Sequence, residues 1–207
     1  MRTNPLSNEQ IVNPFETRWI RPDAIEYTPS KIRAESKLTA LLDKVLNSAS
    51  SWEIIGPHGV GKTTLAHSLC RIAATRCIPT ELIRCGQVPF SEIRRCLQLP
   101  GQLTILDEFE QLRWWHRQRL RHLAKRGRVR FILIAHQSQG FPLLTNPQTD
   151  LKTLQSIVKR LQANQGFNEV VSLADVESLM AQHGRNFREV LFACYDLFHQ
   201  RQIKNRQ

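Results

Sequence analysis

The chain has 207 residues, 41% hydrophobic and 23% charged, a balance that fits one soluble globular domain with a short appendage. Its longest apolar run, Val190-Leu191-Phe192-Ala193-Cys194-Tyr195, falls far short of the roughly 20 residues needed to cross a bilayer, so no membrane span is expected. Lys and Arg number 29 against 18 Asp and Glu, and the net charge of +11 attracts polyanions, nucleic acid first among them.

The N-terminus, Met1-Arg2-Thr3-Asn4-Pro5, lacks the apolar stretch of a secretory signal. Cys70, Cys77, Cys85, Cys96 and Cys194 form no close pairs of the metal or redox type and are expected to be reduced and mostly buried. A cytoplasmic location follows as the expectation.

Pro5, Pro14, Pro22 and Pro29 predict an irregular N-terminal arm. From Ile32 to Leu46, apolar residues recur at three- and four-residue spacing and predict an amphipathic helix. Strands are then predicted at Trp52–Ile55, Glu81–Arg84, Leu103–Leu106 and Val129–Ala135. Helices are predicted between them, from Lys62 to about Arg76, near Ser91 to Leu97 and from about Phe109 to Lys125. Such alternation predicts an α/β fold with three layers, its mostly parallel five-stranded sheet covered by helices on both faces. Further on come a helix near Leu151–Leu161, a fifth strand at Glu169–Leu173, and closing helices at Asp175–Gln182 and Phe187–Gln200. The predicted division is an N-terminal arm and helix over 1–50, a core over 51–173 and a short C-terminal helical segment over 174–207.

Gly56-Pro57-His58-Gly59-Val60-Gly61-Lys62-Thr63 matches G-x-x-x-x-G-K-[ST] at every fixed position, after a predicted strand and before a predicted helix. The glycines free the backbone to turn successive N–H groups inward, and the following helix adds its own donors from Thr64 onward. Lys62 is expected to reach the outer phosphates of a nucleotide, and the Thr63 hydroxyl to ligate Mg2+. A second magnesium contact, a carboxylate, should follow an apolar strand of the same sheet, and Leu103-Thr104-Ile105-Leu106-Asp107-Glu108 supplies one. Asp107 is the predicted metal residue; Glu108 is placed to polarise an attacking water.

Together these segments, the Walker A and Walker B motifs, resemble the P-loop ATPases in which a catalytic glutamate directly follows the magnesium aspartate: the AAA+, ABC and RecA-like families. The resemblance implies ATP and Mg2+ as cofactors, hydrolysis as the activity, and an extra strand, here Val129–Ala135, between the P-loop strand and the Asp-Glu strand. AAA+ members carry a polar γ-phosphate sensor at that strand's tip; His136 fits the position, with Gln137 and Ser138 beside it. Gly184-Arg185-Asn186-Phe187-Arg188-Glu189 resembles their second sensor, which would make Arg188 the sensing arginine, although the C-terminal segment is smaller than a complete AAA+ lid. Arg160 stands where AAA+ proteins carry an arginine finger, yet no local motif separates it from a surface arginine.

Arg113, Arg117, Arg119, Arg121, Lys125, Arg126, Arg128 and Arg130 lie in one stretch with no acidic residue. A buried stripe of Phe109, Leu112, Trp115, Leu120 and Leu123 would leave these cations outside, suited to a DNA or RNA backbone or to an acidic protein partner, and Trp114 could stack on an unpaired base. Trp19 and Tyr27 in the arm could cover the adenine ring or pack on the core. The expected function is magnesium-dependent ATP hydrolysis, coupled to a conformational switch acting on nucleic acid or on a protein partner, a second copy included. A nucleotide-binding interaction module with little turnover is the alternative. A small-molecule kinase shares the P-loop, but the short stretch between Arg84 and Leu103 leaves little room for an acceptor site.

Overall fold

The alternation read from the sequence becomes a single parallel sheet in the computed structural model, which describes residues 12–27 and 34–204. Pro5, Pro29 and the predicted helix start at Ile32 lie outside the described residues. A four-residue turn of helix, α1 (Thr17–Ile20), precedes the amphipathic helix α2 (Ala34–Leu46). The core then runs β1 (Trp52–Ile55), α3 (Lys62–Thr75), β2 (Thr80–Arg84), α4 (Phe90–Leu97), β3 (Leu103–Asp107), α5 (Trp114–Lys125), β4 (Ile132–Ala135) and β5 (Leu143–Thr145). Three helices close the chain: α6 (Leu151–Asn164), α7 (Leu173–His183) and α8 (Phe187–Lys204).

The strands lie in the order β2-β3-β4-β1-β5, every pair parallel. β4 does intervene between the P-loop strand and the Asp-Glu strand. Parallel strands covered on both faces read as continuous apolar runs, and all four residues of β4 are buried. Successive side chains feed opposite layers. Ile105, Ile132 and Ile134 pack with Leu38 and Leu42 of α2 and Leu65 and Leu69 of α3; Leu106, Leu133 and Ala135 pack with Ile93 of α4 and Leu120 of α5. A third core, built from α6, α7 and α8, takes in Phe15 and Ile25 of the arm.

The fifth strand is not at Glu169–Leu173. Val170 and Val171 lie in a bend, where the Val171 N–H donates to Gln162 Oε1 at 2.8 Å and its carbonyl accepts from Gln162 Nε2 at 3.0 Å. A buried side-chain amide thus satisfies the backbone that a neighbouring strand would otherwise pair. Ser172 then caps α7 in a capping box with Asp175, so Leu173 begins a helix. β5 sits instead beside β1, with Leu144 buried between flanking exposed and half-buried residues.

The helix predicted from Phe109 to Lys125 is also divided. Phe109–Gln111 form a 3-10 turn, Leu112 is extended (ψ 137°) and drops into the core, and α5 begins at Trp114. The buried face of α5 is set by Leu120 with Leu123 and Ala124. Trp115, five residues before Leu120, falls off that stripe and is 55% exposed.

Candidate functional site

The ends of β1, β3 and β4 lie side by side, because β4 pairs with both neighbours, and each strand delivers a predicted residue to the same edge. β1 runs into the glycine loop. Gly59 and Gly61 have φ of +73° and +86°, the left-handed region that an L side chain rarely occupies. Gly59 has a second reason to lack a side chain: an added Cβ would lie 1.8 Å from Oδ1 of Asn186, at the start of α8.

Lys62 opens α3 and is buried, its Nζ donating to the carbonyls of Gly56 at 2.6 Å and Pro57 at 2.7 Å. Burial lowers its pKa, and the negative charges of Glu110 and Asp107 oppose that shift. Thr63 Oγ1 donates to Asp107 Oδ2 at 2.9 Å, joining residues 44 positions apart. The other Asp107 oxygen accepts the Glu108 N–H at 2.9 Å. Glu108 takes a left-handed conformation, φ 56°, and its exposed side chain lines the same cavity.

That cavity has a volume of about 490 Å3. His58, Val60, Thr63 and Thr64 form part of its sheet-side wall, with Asp107, Glu108 and His136. Gly56 and Pro57 stand behind this wall, as acceptors for Lys62. Arg188 and Phe187 reach the cavity from α8, and Tyr27 reaches it from the arm. A Cβ on Gly61 would lie 3.8 Å from the Tyr27 ring. Arg188 is exposed, its guanidinium 5.8 Å from the Phe192 ring centre. Trp19 does not line the cavity; it packs on the C-terminal core. Arg160 is not among the lining residues, but it pairs at 3.0 Å with Glu26, which is.

Sequence reasoning placed His136 but missed three contributors, Glu110, Asn186 and Glu53. His136, at the tip of β4, stacks on His58 with ring centres 3.7 Å apart, and its Nδ1 pairs with Glu110. Glu110 lies one residue beyond Phe109, whose burial in the core makes the acidic run look closed at Glu108. Asn186 abuts Gly59 only because α8 folds across the loop. Glu53, inside β1 and 2% exposed, accepts from Ser138 Oγ (2.6 Å), Gln139 N (2.8 Å) and Phe141 N (3.3 Å). A carboxylate in the apolar run Trp52-Glu53-Ile54-Ile55 was the available signal, since a buried charge requires partners.

The basic stretch is partly committed to structure. Arg121 donates to the Gln139 carbonyl at 3.1 Å, Arg117 to the Gln139 side chain at 3.2 Å, and Arg130 to the Ser48 carbonyl at 3.2 Å. Arg113, Arg119, Lys125, Arg126 and Arg128 stay exposed, as do Trp114 and Trp115. Burial pushes the thiols of Cys85 and Cys194 up to about 12, which leaves them poor nucleophiles. Among the described residues no helix is long and apolar enough to cross a membrane.

No protein-family model and no curated protein matches the chain. Solved structures do. ORC1 of Aeropyrum pernix in complex with DNA superposes with a TM-score of 0.57 at 19% identity over 91% of this chain. The replication initiator DnaA bound to AMPPCP and single-stranded DNA gives 0.61 at 16% identity over 89%. Drosophila ORC bound to DNA gives 0.59 at 13% identity over 99%. The chain spans 64%, 67% and 65% of their respective lengths. Likeness at this identity is one of fold, and the fold is that of the AAA+-type P-loop NTPases.

Proposed function

We propose that this chain binds ATP with Mg2+ and hydrolyses it, and that turnover drives a switch acting on nucleic acid or on a protein partner. The observation that carries the reading is the 2.9 Å hydrogen bond between Thr63 Oγ1 and Asp107 Oδ2 at the mouth of a glycine loop. A hydroxyl and a carboxylate converging there are hard oxygen donors, the kind magnesium takes, and the loop presents bare backbone to the same space. The residues therefore fit both groups.

In this reading the loop amides from His58 to Thr64 cradle the phosphates, and Lys62 exchanges its two carbonyl acceptors for phosphate oxygens. Thr63 and Asp107 would hold the magnesium ion, which when bound neutralises charge on the outer phosphates. Glu108 orients the attacking water and accepts its proton. His136 and Arg188 face the outer phosphate from opposite walls, and Tyr27 covers part of the base or sugar. The C-terminal segment acts as a reduced lid on the core 51–173, and Tyr27 brings the described part of the arm to the same cavity.

DNA or RNA is the favoured partner. The free cations of residues 113–130 and the DNA-bound state of the ORC1 and DnaA structures support that choice. Glu108→Gln should abolish phosphate release, by roughly a hundredfold or more, while a fluorescent ATP analogue still binds. Addition of DNA or RNA should change the wild-type rate, an effect that fades as salt rises. A wild type that binds nucleotide but releases no phosphate, with or without nucleic acid, would point to the interaction module instead.

A further inference from the structure

Glu110 has no role in the reading above, yet its surroundings are specific. Its Oε1 pairs with His136 Nδ1, and its Oε2 is buried without a hydrogen-bond partner. The residue lines the cavity, and among the charges acting on Lys62 it has the largest influence, ahead of Asp107. The opposite ring nitrogen, His136 Nε2, lies 3.0 Å from His58 Nδ1, and His58 belongs to the glycine loop itself. Three side chains are thus in successive contact, from the turn after β3, across the tip of β4, to the glycine loop.

We propose that Glu110 is a positioning residue for His136, and that the line Glu110–His136–His58 reports phosphate occupancy of the loop to the tip of β4. The argument is one of hydrogen-bond roles. A carboxylate only accepts, so Nδ1 of His136 must carry its hydrogen, which fixes the tautomer and the ring plane together. Nε2 is then the atom left to deal with the loop. In the free protein it meets His58; with a triphosphate in the loop, His58 has phosphate oxygens as new partners, and Nε2, an acceptor in this tautomer, turns to an O–H of the attacking water. Without Glu110 the ring could flip or take the other tautomer, and that response would be lost.

The proposal deepens the ATPase reading and rests on it, so its test has one readout independent of turnover. Side-chain 15N spectra of His136 should show the Nδ1–H tautomer in the wild type, a mixture in Glu110→Ala, and the Nδ1–H tautomer again in Glu110→Gln, whose amide oxygen still accepts. Adding a non-hydrolysable ATP analogue should shift the His58 and His136 signals together in the wild type and separately in Glu110→Ala.

In steady-state kinetics, Glu110→Ala should lose about 10- to 100-fold in kcat with nucleotide affinity nearly unchanged, as removal of a residue that orients another typically does. Glu110→Gln should recover most of that loss, and adding His136→Ala to Glu110→Ala should cost nothing more. An unchanged tautomer in Glu110→Ala would overturn the proposal. So would a Gln variant no better than Ala with both melting alike, which is the mark of a merely structural carboxylate. Absence of wild-type turnover alongside the expected spectra would count against the ATPase reading and leave the positioning role standing.

Discussion

The cavity has two walls of different construction. The sheet-side wall is made of strand tips that share the central core, with Ile54, Ile105, Leu106 and Ile132 at 0% exposure directly beneath. The opposite wall belongs to α8, held by a separate core of α6, α7 and the arm. The first wall is anchored by the hydrogen-bonded parallel sheet itself. The second touches the first at few points, Asn186 on Gly59 among them. Under the proposed function, a site built this way would keep Lys62, Thr63 and Asp107 fixed while its outer wall responds to what is bound, the division expected of a nucleotide-driven switch.

Four changes break or sharpen that contrast. The largest effect belongs to Phe198→Ala: Phe198 is 1% exposed between Phe15 and Phe167, and its loss should cost about 3–5 kcal/mol. Hydrogen exchange would localise the damage; fast exchange confined to α6–α8, with β1, β3 and β4 still protected, is the expected pattern. Uniform acceleration would mean that the walls unfold as one. Gly59→Ala comes next, since it forces a side chain into φ +73° and onto Asn186, at about 1–3 kcal/mol for the backbone alone. Calorimetric titration with a non-hydrolysable ATP analogue should show at least about a tenfold loss of affinity.

Asp175→Asn is smaller. Arg201 and, after it, Ser172 hold the Asp175 carboxyl at about 2, below its ordinary 3.8. A depressed folded pKa contributes stability that is complete above about pH 4 and is lost as the pH falls toward 2. Thermal melting should therefore separate wild type from Asp175→Asn by roughly 1 kcal/mol at pH 5, and the two curves should converge near pH 2. Arg160→Ala should do least. Its pairing with Glu26 is 39% and 68% exposed on the two sides, so the change in melting stability should stay within about 1 kcal/mol. A loss of turnover in Arg160→Ala that grows with protein concentration would instead indicate a finger reaching a second copy.

The same contrast explains what the sequence made legible. The glycine loop could be read because each of its fixed residues answers a demand of the local backbone, and Asp107 because the strand that carries it is uniformly apolar. The fifth strand was misplaced for a local reason too: Val170-Val171 looks more like a strand than Leu143-Leu144-Thr145 between Pro142 and Asn146-Pro147. Only the side chain of Gln162, remote in sequence, shows which backbone is already satisfied. Trp115 was assigned to a buried stripe because a helix was extended through Leu112; one extended residue rotates everything after it. Glu110 and Asn186 were illegible because their partners, His136 and Gly59, are brought to them by topology rather than by spacing.

Glu53 has a mechanical consequence. It sits on the strand that runs into the glycine loop, and its carboxylate fastens residues 138, 139 and 141, while Gln139 in turn receives Arg117 and Arg121 of the cation-rich helix. The strand, the turn and the helix are riveted at one buried point. The arginines of α5 are thus tied, through Gln139 and Glu53, to the strand that runs into the glycine loop.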